Sequence, residues 1–118
     1  MQARIARVRA KVDHLARRKS EAEARMAVIR SAPGLPEALL RAEQAALAEL
    51  LNRIAAADRH LRGLHDAMIR RRDDPRVRSA GEGATRHALR GQIARLGEVL
   101  QDVRRLHVDL SAQLIEFD

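Results

Sequence analysis

The chain has no cysteine, tryptophan or tyrosine, and Phe117 is its one aromatic residue. Without cysteine there is no disulfide framework, no thiolate metal site and no thiol nucleophile. A reducing, cytoplasmic location is the expectation that fits. Strands draw on aromatic and β-branched side chains, so their scarcity argues against a sheet protein. No apolar run approaches ~18 residues, so no transmembrane segment is expected. The start of the chain is basic but lacks an uninterrupted apolar stretch, so it does not read as a secretory signal.

Catalytic and ligand-binding signatures are missing as well. Gly81-Glu82-Gly83 reads as a linker, not a phosphate loop. His60 and His65 stand five apart, which turns them to different faces of a helix and gives no shared metal site. His14 and His87 fall on outer positions. The expectation is a protein that is not an enzyme and needs no metal or cofactor.

What remains is alanine, leucine and charge, with 33% of residues charged. The apolar residues recur in steps of three and four. One seam runs Ile5, Val8, Val12, Leu15, Lys19, Ala22, Met26, Ile29. A second runs Leu40, Glu43, Leu47, Leu50, Ile54, Ala57, Leu61, Leu64, Met68, with Leu39, Leu51 and Ile69 beside it. A third runs Leu89, Ile93, Leu96, Leu100, Val103, His107, Leu110, Leu114, Phe117, widened by Val99 and Leu106. Such spacing builds amphipathic helices that pack at small crossing angles.

Helices are therefore expected over 2–31, 36–73 and 85–117. Pro33 ends the first, because a residue before proline leaves the helical region. Pro36 suits the first position of the second. Gly63 lies on that helix's outer face and should not break it. Residues 74–83 form a polar loop, expected to be mobile, and Thr85 can cap the third helix. The chain length suits one domain and one core.

The short first connection and moderate second one favour an all-α fold, an antiparallel three-helix bundle about 50 Å long. Facing residues should sum to roughly 68 across the first turn and roughly 157 across the second. That puts Leu15 near Ile54, and Leu50 near His107. The competing arrangement is a long helical hairpin whose third helix pairs with another chain in an oligomer. The outline resembles a spectrin-type repeat in architecture only, since that family's characteristic tryptophan is absent. It is also similar in outline to small coiled-coil stalk proteins of bacterial export machines, with no short motif in common.

Lys19 and His107 are polar residues at seam positions. Lys19 has two readings. Its stem can lie over apolar neighbours while its ammonium reaches water. Alternatively Lys19, Glu49 and His107 form a polar layer that fixes helix register.

Net charge is +7, and 21 of the 23 basic residues are arginine. A codon bias toward Arg and Ala gives the same excess, so the placement of charge is more informative than its total. Antiparallel packing brings residues 1–19 and 62–95 to one end. These hold sixteen basic and five acidic residues, a net of +11, against seven and eleven elsewhere, a net of −4. The basic tip comprises Arg4, Arg7, Lys11, Arg18, Arg70, Arg71, Arg72, Arg76, Arg78, Arg86 and Arg90. Arg4, Lys11, Arg18 and Arg25 share one flanking heptad position.

An acidic protein surface or a nucleic-acid backbone would suit this tip. There are no aromatics to stack on bases and no short recognition helix. An anionic membrane surface fits less well, because no apolar band accompanies the charge. At the other end, Leu106, Val108, Leu114, Ile115 and Phe117 spread over more than one face. They read either as a second interface, for dimerisation or a partner helix, or as a locally wide core under Leu39 and Leu40. The functional expectation is a helical protein–protein interaction module, an adaptor, stalk or scaffold acting through a protein partner or self-association. The alternative is a sequence-nonspecific nucleic-acid-binding protein.

Overall fold

In the computed structural model, residues 2–34, 37–76 and 83–116 are described. They form three helices: α1 (Gln2–Ser31), α2 (Glu37–Asp73) and α3 (Gly83–Glu116). Each helix packs against both others within the one chain. This is the three-helix bundle, with α3 packed against α1 and α2 of its own chain.

The seams become the core. Ile5, Val12, Leu15, Ala22 and Met26 of α1, Leu47, Leu50, Ile54, Ala57, Leu61 and Met68 of α2, and Leu89, Leu96, Val99, Leu100, Val103 and Leu110 of α3 form one buried cluster. Val8, Leu40, Leu51, Leu64, Ile93, Leu106 and Leu114 pack at its margin. Gly63 sits in an unbroken α2, with nothing within 4 Å of where its Cβ would lie.

Between α1 and α2, the Ala32 N–H donates to the Ile29 carbonyl at 3.2 Å, and the Ser31 hydroxyl donates to the Val28 carbonyl at 2.9 Å. Gly34 then takes φ +72°, a left-handed conformation that glycine adopts without steric cost. Pro36, expected to open α2, lies outside the described residues. Thr85 does not cap α3: the helix already runs from Gly83, so Thr85 is inside it. The expected loop at 74–83 is shorter on both sides, since Pro75, Arg76 and Gly83 are helical and residues 77–82 lie outside the described set.

The register of the first turn is as expected. Arg25 faces Glu43, a pair summing to 68. The second turn differs by five. Asp58 meets Arg104, and His65 lies beside Gly97, so facing residues sum to 162 rather than 157. Leu50 and His107 are therefore not level. In this register the first turns of α3 lie beyond the end of α2.

This shift staggers the bundle. Its longest dimension is 69 Å, not the ~50 Å of three flush helices. All three helices overlap only along the middle of α2, from about Ala46 to about Asp66 by these registers. Past that stretch, α2 and α3 project together at the basic end. At the opposite end α1 and α2 continue without α3.

Candidate functional site: an arginine-rich end

The staggered register decides how the basic residues group. Arg4, Arg7 and Lys11 lie at successive helical spacings on α1 and line a groove of about 220 Å³ with His60 of α2, floored by Val8, Val12 and Ala57. Further out, where α1 is absent, Arg72 of α2 and Arg86 and Arg90 of α3 line a second cleft, about 460 Å³, together with Asp73. Arg70 and Arg71 are exposed on the last turn of α2, where cations complement the helix dipole.

Most acids at this end are already engaged. Arg9 binds Asp13 at 2.8 Å and also binds Asp102 of α3. Its hydrogen bonds, first to Asp102 and then to Asp13, raise the guanidinium pKa further above its ordinary value. Arg72 donates from Nε to Asp73 Oδ1 at 3.1 Å. Asp74 Oδ1 accepts from the Arg76 backbone N–H at 2.9 Å. Among the described residues, Arg4, Arg7, Lys11, Arg70, Arg71 and Arg90 have no acidic partner. Each is exposed. Arg18 is half-buried, and Arg78 lies outside the described residues.

The three proposed members of a polar layer do not meet. Lys19 is buried, with 9% of its surface exposed. Its ammonium contacts Glu23 at 2.6 Å and Asp109 of α3 at 3.9 Å. Glu49 is at the right level but the wrong angle: it is exposed and pairs with Arg53 at 3.1 Å. His107 is half-buried and, among the described residues, makes no hydrogen bond or ion pair. Lys19 thus keeps its stem in the core and its charge on carboxylates at the rim, not on Glu49 or His107.

Because Glu23 and Asp109 are 40% and 63% exposed, removing the ammonium strands no buried charge. Lys19→Leu should be neutral or stabilise by about 1 kcal/mol. Thermal unfolding and light scattering check this. A loss of more than about 1 kcal/mol, or a changed mass, would show that the ammonium specifies the register.

A charged seam residue that the polar-layer reading left out is Glu43. It lies on the α2 stripe, 18% exposed, and accepts from Arg25 Nε at 3.0 Å. Its Oε2 is buried without a hydrogen bond. Asp58, 16% exposed, sits between Arg62 at 2.9 Å and Arg104 at 3.7 Å. With Arg9–Asp102 and Lys19–Asp109, these ion pairs tie each helix to both others.

The expected second interface divides. Leu106 and Leu114 belong to the core margin, so they are not surface. Val108 and Ile115 are 65% and 73% exposed, one heptad apart on the outer face of α3. They are therefore not packed into a wide core under Leu39 and Leu40. Leu40 packs inward and Leu39 is 53% exposed. Phe117 lies outside the described residues.

His60 and His65 face different neighbours, as their spacing implies: His60 lines the α1–α2 groove, while His65 lies against Gly97. Among the described residues no group of three metal-ligating side chains converges, and no helix is long and apolar enough to cross a membrane. No protein-family model matches the chain, and neither a curated protein nor a solved structure matches it.

Proposed function

We propose that this chain is a non-enzymatic helical interaction module, an adaptor, stalk or scaffold, whose working surface is its arginine-rich end. Its partner is an acidic protein surface. The observation that carries this reading is the set of six exposed cations without an acidic partner among the described residues, drawn from α1, α2 and α3 of one helical frame. Arginine retains its charge at all physiological pH and forms paired hydrogen bonds with carboxylates, so such a surface recognises acids by geometry as well as charge. Elsewhere the acids and bases are largely paired with one another, which leaves this end as the main unbalanced field.

A nucleic-acid backbone is the second reading, favoured by the row Arg4, Arg7 and Lys11 along one groove. The two are separated by anisotropy titrations of labelled poly-L-glutamate and of labelled duplex DNA and RNA, each at two salt concentrations. The first reading expects saturable binding to polyglutamate that is at least as tight as to either duplex. A duplex affinity more than tenfold tighter, falling steeply with salt as several phosphates release counterions, replaces it with the second. No binding to any of the three refutes both.

A further inference from the structure

The groove between α1 and α2 differs from the rest of the basic end in what lies beneath its charges. Arg4, Arg7 and Lys11 form its rim on α1 and His60 its rim on α2, while Val8, Val12 and Ala57 make an aliphatic floor. Val12 and Ala57 are buried and Val8 is half-buried, so the floor extends the core toward solvent. The three cations are exposed and have no acidic partner among the described residues. No acid lies within residues 1–12 of the chain. By the register of the first turn, residues 4–11 face 57–64 of α2, where the one acid, Asp58, is held by Arg62 and Arg104. That stretch stops short of Asp73, the last residue of α2, by 73 minus 64, or nine residues, about 14 Å along the axis.

We propose that this groove docks an acidic amphipathic helix of a partner protein. Arg4, Arg7 and Lys11 are spaced three and then four apart, so they line one helix face over about 10 Å. A partner helix with carboxylates at the same spacing lies along this row for two turns, and its adjoining aliphatic side chains meet Val8 and Ala57. Ion pairs then flank an apolar contact, as they do where two helices pack side by side. His60 adds a hydrogen-bond donor from the α2 side, since a histidine ring carries an N–H in either protonation state. The groove holds about 220 Å³, below the roughly 300–1,000 Å³ of small-molecule sites. It therefore suits side chains projecting from a docked helix rather than an enclosed small ligand. A nucleic-acid backbone matches the cations but brings no aliphatic side chain to the floor, so the floor favours a protein. The inference rests on the reading of the arginine-rich end as a surface for an acidic protein, and it names the occupant and its seat.

The test is anisotropy titration of the full chain with two labelled synthetic peptides of equal length, composition and charge, beside polyglutamate and duplex DNA. Both peptides are chemically stapled so that their helicity is equal. One sets a leucine stripe beside glutamates at the spacing of Arg4, Arg7 and Lys11; the other places leucines and glutamates on opposite faces. The first peptide should bind at least tenfold tighter than the second, than polyglutamate and than the duplex. Arg4→Gln, Arg7→Gln and Lys11→Gln together should weaken it at least tenfold. Arg70→Gln, Arg71→Gln and Arg90→Gln, an equal loss of charge outside the groove, should change it less than threefold. Circular dichroism confirms that each variant folds. Equal binding of the two peptides would mean that the floor is not engaged, and equal losses in the two triple variants would reduce the site to diffuse electrostatics; either overturns the proposal. Polyglutamate binding with no preference for the first peptide refutes the groove and spares the interaction module. Binding of the first peptide without polyglutamate binding upholds the groove and ends the reading of the whole end as a general acidic-surface site. A duplex bound tighter than the first peptide replaces both with the nucleic-acid reading, and no binding to any probe refutes all of them.

Discussion

Leu61→Ala should lower the unfolding free energy by about 3 kcal/mol, within the 2–5 kcal/mol typical of leucine truncation in a tight core. Leu61 has 0% of its surface exposed and lies where all three helices overlap. The loss combines burial of the removed methyl groups with the cavity they leave, which neighbours held on three rigid helices cannot collapse to fill. For a chain of this size the melting temperature should fall by roughly 10 °C. Leu39→Ala is the matched comparison. Leu39 is 53% exposed at the end that α3 does not reach, so its truncation should cost less than about 0.5 kcal/mol. Urea unfolding of both variants decides. Equal costs would mean that the overlap region is not the source of the bundle's stability.

The second large effect is on binding. Reversing Arg4, Arg7, Arg70 and Arg71 to glutamate should weaken polyglutamate binding by on the order of 100- to 1,000-fold, taking about 1 kcal/mol per reversed surface charge. These four lie outside the Arg72–Arg86–Arg90 cleft and have no acidic partner among the described residues, so no ion pair within the bundle is broken. Folding should be nearly unaffected, apart from a few tenths of a kcal/mol where glutamate opposes the dipole at the end of α2. The comparison is reversal of Arg41, Arg53, Arg104 and Arg105, an equal change in net charge away from this end; it breaks the Arg104–Asp58 contact between α3 and α2, so circular dichroism first confirms that this variant folds. That variant should bind polyglutamate within about tenfold of the original chain, since screening confines the field to roughly 10 Å. If both sets of reversals weaken binding equally, total charge is responsible and the end has no special role.

The stability test and the binding test probe different layers of the same sequence. The seam spacing that buries Leu61 also turns Arg70 and Arg71 outward, because a helix with one apolar stripe must present its other faces to water. Placing arginines on the last turn of α2 therefore has little cost in folding and concentrates charge where only α3 continues alongside.

Several details of the site were legible in the residues and others were not. Glu43 stood on the α2 seam, and the sum of 68 across the first turn already pointed at Arg25 as its partner. That signal was present and needed only the question of what faces a charged seam position. Glu49 shows the opposite limit. Its level beside Lys19 followed from the first turn, but its angle depends on where it falls between Leu47 and Leu50, which turns it to solvent. Val108 and Ile115 sit on α3 at a spacing that makes them neighbours, yet spacing does not say whether another helix covers them.

Periodicity determined the number of helices, the seam residues and the separation of a basic from an acidic end, because burial of one stripe per helix is a local demand that each segment expresses in its own pattern. Proline and glycine set the first turn tightly enough to define its register. The stagger of α3 was decided only in the tertiary structure. A ten-residue connection bounds the distance between helix ends without choosing among registers one or two turns apart, and the choice falls to packing along the whole α2–α3 contact. That choice sets Leu50 and His107 at different levels. It also carries Arg86 and Arg90 past the start of α1, where they join Arg72 in one cleft.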